Sequence, residues 1–148
     1  MKIAVIGLGF VGLSLCSVLA SRGITTIGID SDRKKCSKIA EGIPTFFEPN
    51  LENTLKKALR KKLSVTNNLF SISNCDFIFV TVGTPQKKNG ETDLSSIKAV
   101  VRSIGKLISK NKKKPIILIK STVIPGTTKS VILPILERNS KKKAGKDF

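Results

Sequence analysis

The sequence predicts an α/β fold built on a doubly wound parallel sheet, and three observations lead there. Short apolar runs alternate with helical patterns along the whole chain. One of the runs, Phe77-Ile78-Phe79-Val80, is apolar on both faces, as a central parallel strand must be. The stretch Met1 to Asp30 joins an apolar strand, a Gly-x-Gly-x-x-Gly turn, a helix and a second apolar strand that closes on an acid.

Taken in order, Ile3-Ala4-Val5-Ile6 is the first strand and runs into Gly7-Leu8-Gly9-Phe10-Val11-Gly12. The helix that follows carries Leu13, Leu15, Cys16 and Leu19 and breaks at Gly23. The second strand, Ile24 to Ile29, ends on Asp30. A short helix from Lys34 to Ala40 stops at Gly42, and Pro44 forbids its continuation. After Phe46-Phe47-Glu48-Pro49, a helix places Leu51, Leu55, Ala58 and Leu59 on one face. Leu63 to Thr66 reads as the third strand. A turn at Asn67 and Asn68 follows, then one helical turn over Leu69 to Ser73 and the fourth strand at Phe77 to Val80. Asp93 or Ser95 caps a helix whose face holds Ile97, Val100, Val101, Ile104, Leu107 and Ile108. Ile116 to Ile119 is the fifth strand, and a last helix starts near Gly126 with Val131, Ile132, Ile135 and Leu136 inward. The basic tail from Asn139 reads as loop.

Strands alternating with helices give right-handed crossovers and a Rossmann-type sheet of order 3-2-1-4-5. Residues 1–148 read as one domain, stopping at Asp147-Phe148 where a sixth strand could begin. On that reading Ile116 to Ile119 is an edge guarded only at its ends, by Pro115 and lysines, and the chain is expected to self-associate.

Composition narrows the function classes. No histidine is present, so a histidine base or histidine-ligated metal is excluded for this chain. Cys16, Cys36 and Cys75 stand at no metal-like spacing and suit free thiols in a reducing compartment. The first strand leaves no room for a leader and no apolar run approaches a membrane span, so a cytoplasmic protein with no membrane partner is expected. The formal charge is +17, from 27 basic and 10 acidic residues. An excess of that size asks for an acidic partner. The lysines are nevertheless spread over Lys56-Lys57, Arg60 to Lys62, Lys87-Lys88, Lys110 to Lys114 and Lys141 to Lys143, with no interleaved aromatic residues. This favours a solvated basic surface over a nucleic-acid site.

The glycine-rich unit has a specific chemistry. Gly7 allows the tight turn, Gly9 lets the backbone approach a pyrophosphate, and Gly12 lets the helix pack on the sheet. Unpaired N–H groups at the helix start bind the phosphates. Asp30 can accept hydrogen bonds from both adenosine ribose hydroxyls and would repel a 2′-phosphate, which favours NAD over NADP, although Arg33 is near enough to accept one. Ligands in such sheets sit beyond the carboxyl ends of the strands. The loops there are Gly7 to Gly12, Asp30 to Lys35, Val82-Gly83-Thr84-Pro85 and Ser121 to Gly126. Two of them carry threonines, Thr84 and Thr122, whose hydroxyls suit a ribose, a carboxamide or a catalytic water.

The Gly7 to Gly12 unit, Phe46-Phe47-Glu48-Pro49, Gly83-Thr84-Pro85, Asp93-Leu94 and Lys120-Ser121-Thr122-Val123-Ile124-Pro125-Gly126-Thr127-Thr128 together resemble the UDP-glucose/GDP-mannose dehydrogenase family. The resemblance covers the whole chain in order. It implies an enzyme that oxidises the C6 alcohol of a nucleotide sugar to a carboxylate in two NAD-dependent steps. It assigns Val11, with its neighbour Phe10, to the pyrophosphate loop, and Asp30 and Lys35 to the adenosine ribose. Val82, Gly83, Thr84, Pro85 and Ser121 would line the NAD site. Thr122 would contact NAD and help hold a catalytic water. The family's catalytic glutamate, lysine, asparagine and cysteine all lie beyond Phe148, so the catalytic and sugar-binding parts are expected to be absent from this chain. NAD is then its ligand, the nucleotide sugar mostly a partner of the missing parts, and a homo-oligomer its expected state. A stand-alone NAD-binding or sensing module is the alternative, and a basic nucleic-acid-binding protein on the same scaffold is a third reading.

Overall fold

The computed structural model describes residues 1–110 and 113–148; of the Lys110 to Lys114 cluster, residues 111 and 112 lie outside the described residues. Strands β1 (Lys2–Ile6), β2 (Thr25–Ile29), β3 (Leu63–Thr66), β4 (Phe77–Val80) and β5 (Ile116–Ile119) form one parallel sheet of order β3-β2-β1-β4-β5. Its registers run without a slip, with Ile6 opposite Ile29 on one side and Val80 on the other. The helices are α1 (Phe10–Ser21), α2 (Arg33–Ala40), α3 (Leu51–Lys61), α4 (Ser95–Ile108) and α5 (Leu133–Ser140).

Alternation along the strands divides the core in two. Ala4, Ile6, Ile78 and Val80 face Ile97, Val101, Ile104 and Ile108 of α4 and Leu136 of α5. Ile3 and Val5 face the other way, against Leu13, Cys16 and Ala20 of α1 and Leu55 and Ala58 of α3. Each fully buried branched side chain stabilises by roughly 1.5–3 kcal/mol relative to exposure. The helix faces read from the sequence are thus the buried faces.

Three details differ from the sequence reading. The last helical segment opens with a π-helical stretch, Thr128–Ile132, before α5 begins. Pro134 has no N–H to return to a carbonyl one turn back, and the wider turn comes just ahead of it. The tail is not simple loop from Asn139, because α5 continues to Ser140 and ends at Lys141 in the left-handed conformation (φ 57°). Beyond it the chain folds back: the Lys143 N–H donates to Asp147 Oδ2 at 2.9 Å, and Phe148 packs half-buried against the α4 and α5 side of the core. At the start of α4 the N-cap is Leu94 rather than Asp93 or Ser95 and makes no side-chain cap; Asp93, one residue earlier, accepts from the Ser95 N–H at 2.8 Å.

Candidate functional site

The switch in strand order falls between β1 and β4, and the loops leaving these strands meet there. Gly7 turns out of β1 with φ 98°, and its N–H donates to the Ile29 carbonyl at 2.7 Å. A Cβ on Gly7 would stand 2.8 Å from the Val82 backbone nitrogen. A Cβ on Gly12 would stand 1.8 Å from the Gly7 carbonyl oxygen and 2.7 Å from Thr81 Oγ1, so the first turn of α1 lies directly on the chain leaving β1. At Gly9 a Cβ would meet nothing within 4 Å. That position opens onto the cleft, where the first N–H groups of α1 have no carbonyl one turn back to bind.

Thr81 holds this loop from the β4 side. Its hydroxyl lies 2.7 Å from the Gly7 carbonyl oxygen and 2.9 Å from that of Ile6, and is shared between them as donor. Sequence reasoning passed over Thr81, because a threonine between Val80 and Val82 looks like a strand end.

Asp30 stands at the end of β2, 9% exposed. Oδ2 accepts from the Leu8 N–H at 2.8 Å and from Lys35 Nζ at 2.9 Å, and Oδ1 accepts from the Asp32 N–H at 3.0 Å. Burial by itself would raise its pKa. The N–H groups of Asp32 and Leu8 and the Lys35 ammonium outweigh burial and hold the carboxyl below the ordinary carboxylate value. It is an anion tied to the glycine loop, with acceptor capacity left over toward the cleft.

The loops after β4 and β5 are laced together. Ser121 Oγ donates to the Val82 carbonyl at 2.7 Å, and Thr84 Oγ1 donates to the Thr122 carbonyl at 2.7 Å. The Thr84 proton is therefore spent on a neighbouring loop, leaving its lone pairs for a donor in the cleft. Thr122 itself is exposed at the rim.

A cleft of about 810 Å³ runs across these loops. Gly7, Gly9, Phe10, Val11, Asp30, Lys35, Val82, Gly83, Thr84, Pro85, Ser121 and Thr122 all line it. Gly12, also expected at the cofactor, is buried beneath the loop rather than on the cleft wall. The cleft further takes in Asn67, Leu69, Thr81, Ser96, Ala99 and Val100, none of which the sequence marks as a ligand residue. The exposed Phe10 ring packs on Phe46, with centroids 4.4 Å apart, at the outer lip. All three cysteines are buried and none lines the cleft. Among the described residues no cluster of three or more acidic or cysteine side chains could hold a metal ion.

These residues fit a dinucleotide. Backbone faces at Gly9 and Gly83 lack any atom that a Cβ would meet within 4 Å, a helix start faces the same space, and an anionic acceptor closes one end. Fold and cleft thus define a nucleotide-binding domain of the dehydrogenase class. The family model of the UDP-glucose/GDP-mannose dehydrogenase NAD binding domain matches residues 1–148. The chain belongs to that family, as its NAD binding domain. It is similar to the GDP-mannose 6-dehydrogenase of Pseudomonas syringae, 39% identical over 150 residues that cover 100% of this chain and 34% of the relative. A crystal structure of a ternary complex of the GDP-mannose dehydrogenase of Pseudomonas aeruginosa superposes with TM-score 0.97 at 39% identity, covering 100% of this chain and 34% of that one. The UDP-glucose dehydrogenase of Pyrobaculum islandicum superposes at 0.90 with 29% identity, covering 96% of this chain and 33% of that one. The chain spans about a third of the length of the relatives it matches.

Proposed function

We propose that this chain is the NAD-binding part of an enzyme that oxidises the C6 alcohol of a UDP- or GDP-sugar to the uronate in two NAD-dependent steps, and that alone it binds NAD without turnover. The observation that carries the reading is one cleft lined by glycine loop, acid and both threonine loops, in a chain matched by the family over its whole length.

The cofactor supplies the hydride acceptor. The chain's own residues bind and orient it. Backbone N–H groups at the start of α1 take the pyrophosphate, with Gly9 leaving room and Phe10 and Val11 walling the loop. Asp30 accepts from the adenosine ribose hydroxyls, its charge maintained by Lys35, Leu8 and Asp32. Val82 to Pro85 and Ser121 line the remaining wall, and Thr122 at the rim orients a water at the reacting end. The cysteines are unsuited to nucleophilic catalysis here, since burial pushes the thiol pKa of Cys16, Cys36 and Cys75 upward. The nucleotide sugar, a homo-oligomeric state and a cytoplasmic setting belong to the same reading of the longer enzyme.

The test is to mix the chain with NAD and a panel of UDP- and GDP-sugars and follow NADH absorbance. A flat trace alongside measurable NAD binding is expected. Sustained NADH production would overturn the reading of a domain without turnover.

A further inference from the structure

In the sequence the basic residues look dispersed, yet the topology collects many of them at one pole. In a parallel sheet with helical crossovers, strand starts and helix ends lie together, opposite the cleft. Lys61 Nζ donates to the Ser21 carbonyl at 3.2 Å, which joins the ends of α3 and α1 and brings Arg60, Lys61 and Lys62 beside Arg22. A Cβ on Gly105 would stand 2.8 Å from Asn139 Cβ, so the ends of α4 and α5 abut and bring Lys106 and Lys110 beside Arg138 and Lys141. Between the two helix layers, Asp76 accepts from the Lys2 N–H at 2.7 Å and from Lys113 Nζ at 2.7 Å, with Lys114 adjoining.

Acids at this pole are few: Glu41 closes α2, and the others are engaged. Asp76 holds Lys2 and Lys113, Glu137 pairs with Lys143 at 3.3 Å, and Asp147 accepts from the Lys143 N–H. A strong positive excess is left over both helix layers. Five strands roughly 4.8 Å apart, with a helix layer about 10 Å away on each face, make this end an array of roughly 20 by 30 Å.

We propose that this pole is a docking surface for an anionic lipid surface, which leaves the cleft at the opposite end open to solvent. The shape and chemistry favour that occupant over nucleic acid. The array is two-dimensional rather than a stripe or groove. The helices present their carbonyl ends here, so attraction rests on lysine ammoniums, whose long stems reach a planar charge at a distance. Arg22, Arg60 and Arg138 are outnumbered by lysines, and the exposed rings Phe10 and Phe47 belong to segments away from this pole. Met1, 69% exposed at the start of β1, and Ile116, 54% exposed at the start of β5, are apolar side chains placed to touch a bilayer. Contact with a surface is distinct from spanning: among the described residues, no helix is long and apolar enough to cross a membrane.

The experiment is co-sedimentation of the 148-residue chain with vesicles of roughly one-third phosphatidylserine in phosphatidylcholine, and with pure phosphatidylcholine. Binding to the anionic vesicles at low salt, its loss at high salt and no binding to the neutral ones are expected. Each basic group near such a surface is worth about fivefold in partitioning. The combined variant Arg60→Gln, Lys106→Gln, Lys110→Gln, Lys114→Gln should therefore lose roughly 100-fold or more. The combined variant Lys87→Gln, Lys88→Gln, Lys98→Gln, Lys129→Gln removes the same charge away from the pole and should lose less than about fivefold. Circular dichroism of both variants verifies folding. Failure to bind anionic vesicles, or equal losses from the two variants, would overturn the proposal. So would tighter, pole-dependent retention on duplex DNA, which would reassign the surface to nucleic acid.

Discussion

Replacing Asp30 with alanine separates two functions of one carboxylate. In the free protein the carboxylate accepts three hydrogen bonds, from the Leu8 N–H, the Asp32 N–H and Lys35 Nζ. Asp32 is exposed and its N–H can turn to water, and the Lys35 side chain is 29% exposed and can solvate its ammonium. Leu8 is fully buried, so its N–H would be orphaned. An unsatisfied buried donor costs about 1–3 kcal/mol of folding stability. For a domain of this size that lowers Tm by about 3–10 °C. On the ligand side, hydrogen bonds to a charged acceptor are worth about 1.5–3 kcal/mol, so NAD should weaken by roughly 10- to 150-fold. NADP should lose little or gain, because the charge opposing its 2′-phosphate is gone. Calorimetric titration well below the lowered Tm, with circular dichroism to verify folding, measures both effects. A folded Asp30→Ala protein with a reduced Tm but NAD affinity within about twofold of the parent would refute the ribose assignment and leave Asp30 as a brace for the glycine loop alone.

Acid should act through the same group: its folded pKa lies below the unfolded value of about 3.9, so its contribution to stability is complete above that value and disappears as pH falls through the folded pKa. Thermal melts from neutral pH downward should show the Asp30→Ala deficit holding to about pH 5 and shrinking only in stronger acid, where a protonated carboxyl still accepts from the Leu8 N–H; a deficit already gone at pH 6 would contradict this. Gly9→Ala, whose Cβ meets no protein atom, should keep Tm within about 2 °C yet weaken NAD. Gly12→Ala should not fold stably, because its Cβ falls 1.8 Å from the Gly7 carbonyl oxygen; thermal melts and titration with both variants check the contrast. At the sheet edge Ile116 is 54% exposed, and an apolar groove of about 450 Å³ lies between β5 and α5, closed in part by Phe148. Sedimentation should show mass rising with concentration at high salt, where charge repulsion is screened; a strict monomer there would show that the folded-back tail suffices to guard the edge.

The sheet was legible in the sequence because short, wholly apolar runs such as Phe77 to Val80 have no use but a strand covered on both faces. The glycine loop was legible because each glycine answers a separate geometric demand. What escaped were contacts that depend on the meeting of distant segments. Thr81 grips the Gly7 carbonyl from 74 residues away, and Thr84 reaches Thr122 across 38. Neither contact leaves a local pattern, since a hydroxyl suits a turn as well as a tether. The brace from Asp30 to Leu8 was hidden in the same way, within a residue already assigned to a ligand. Helix ends separated by a whole crossover likewise appear unrelated until the topology places them at one pole.

The most direct test of the central claim is an amide NMR titration of the uniformly ¹⁵N-labelled chain with NAD. The largest shifts should fall on Gly7 to Gly12, Ser31, Val82, Gly83, Ser121 and Thr122, with the strand starts and the basic pole unmoved. Saturating shifts centred elsewhere, or none at millimolar NAD, would contradict the claim that this cleft holds the cofactor.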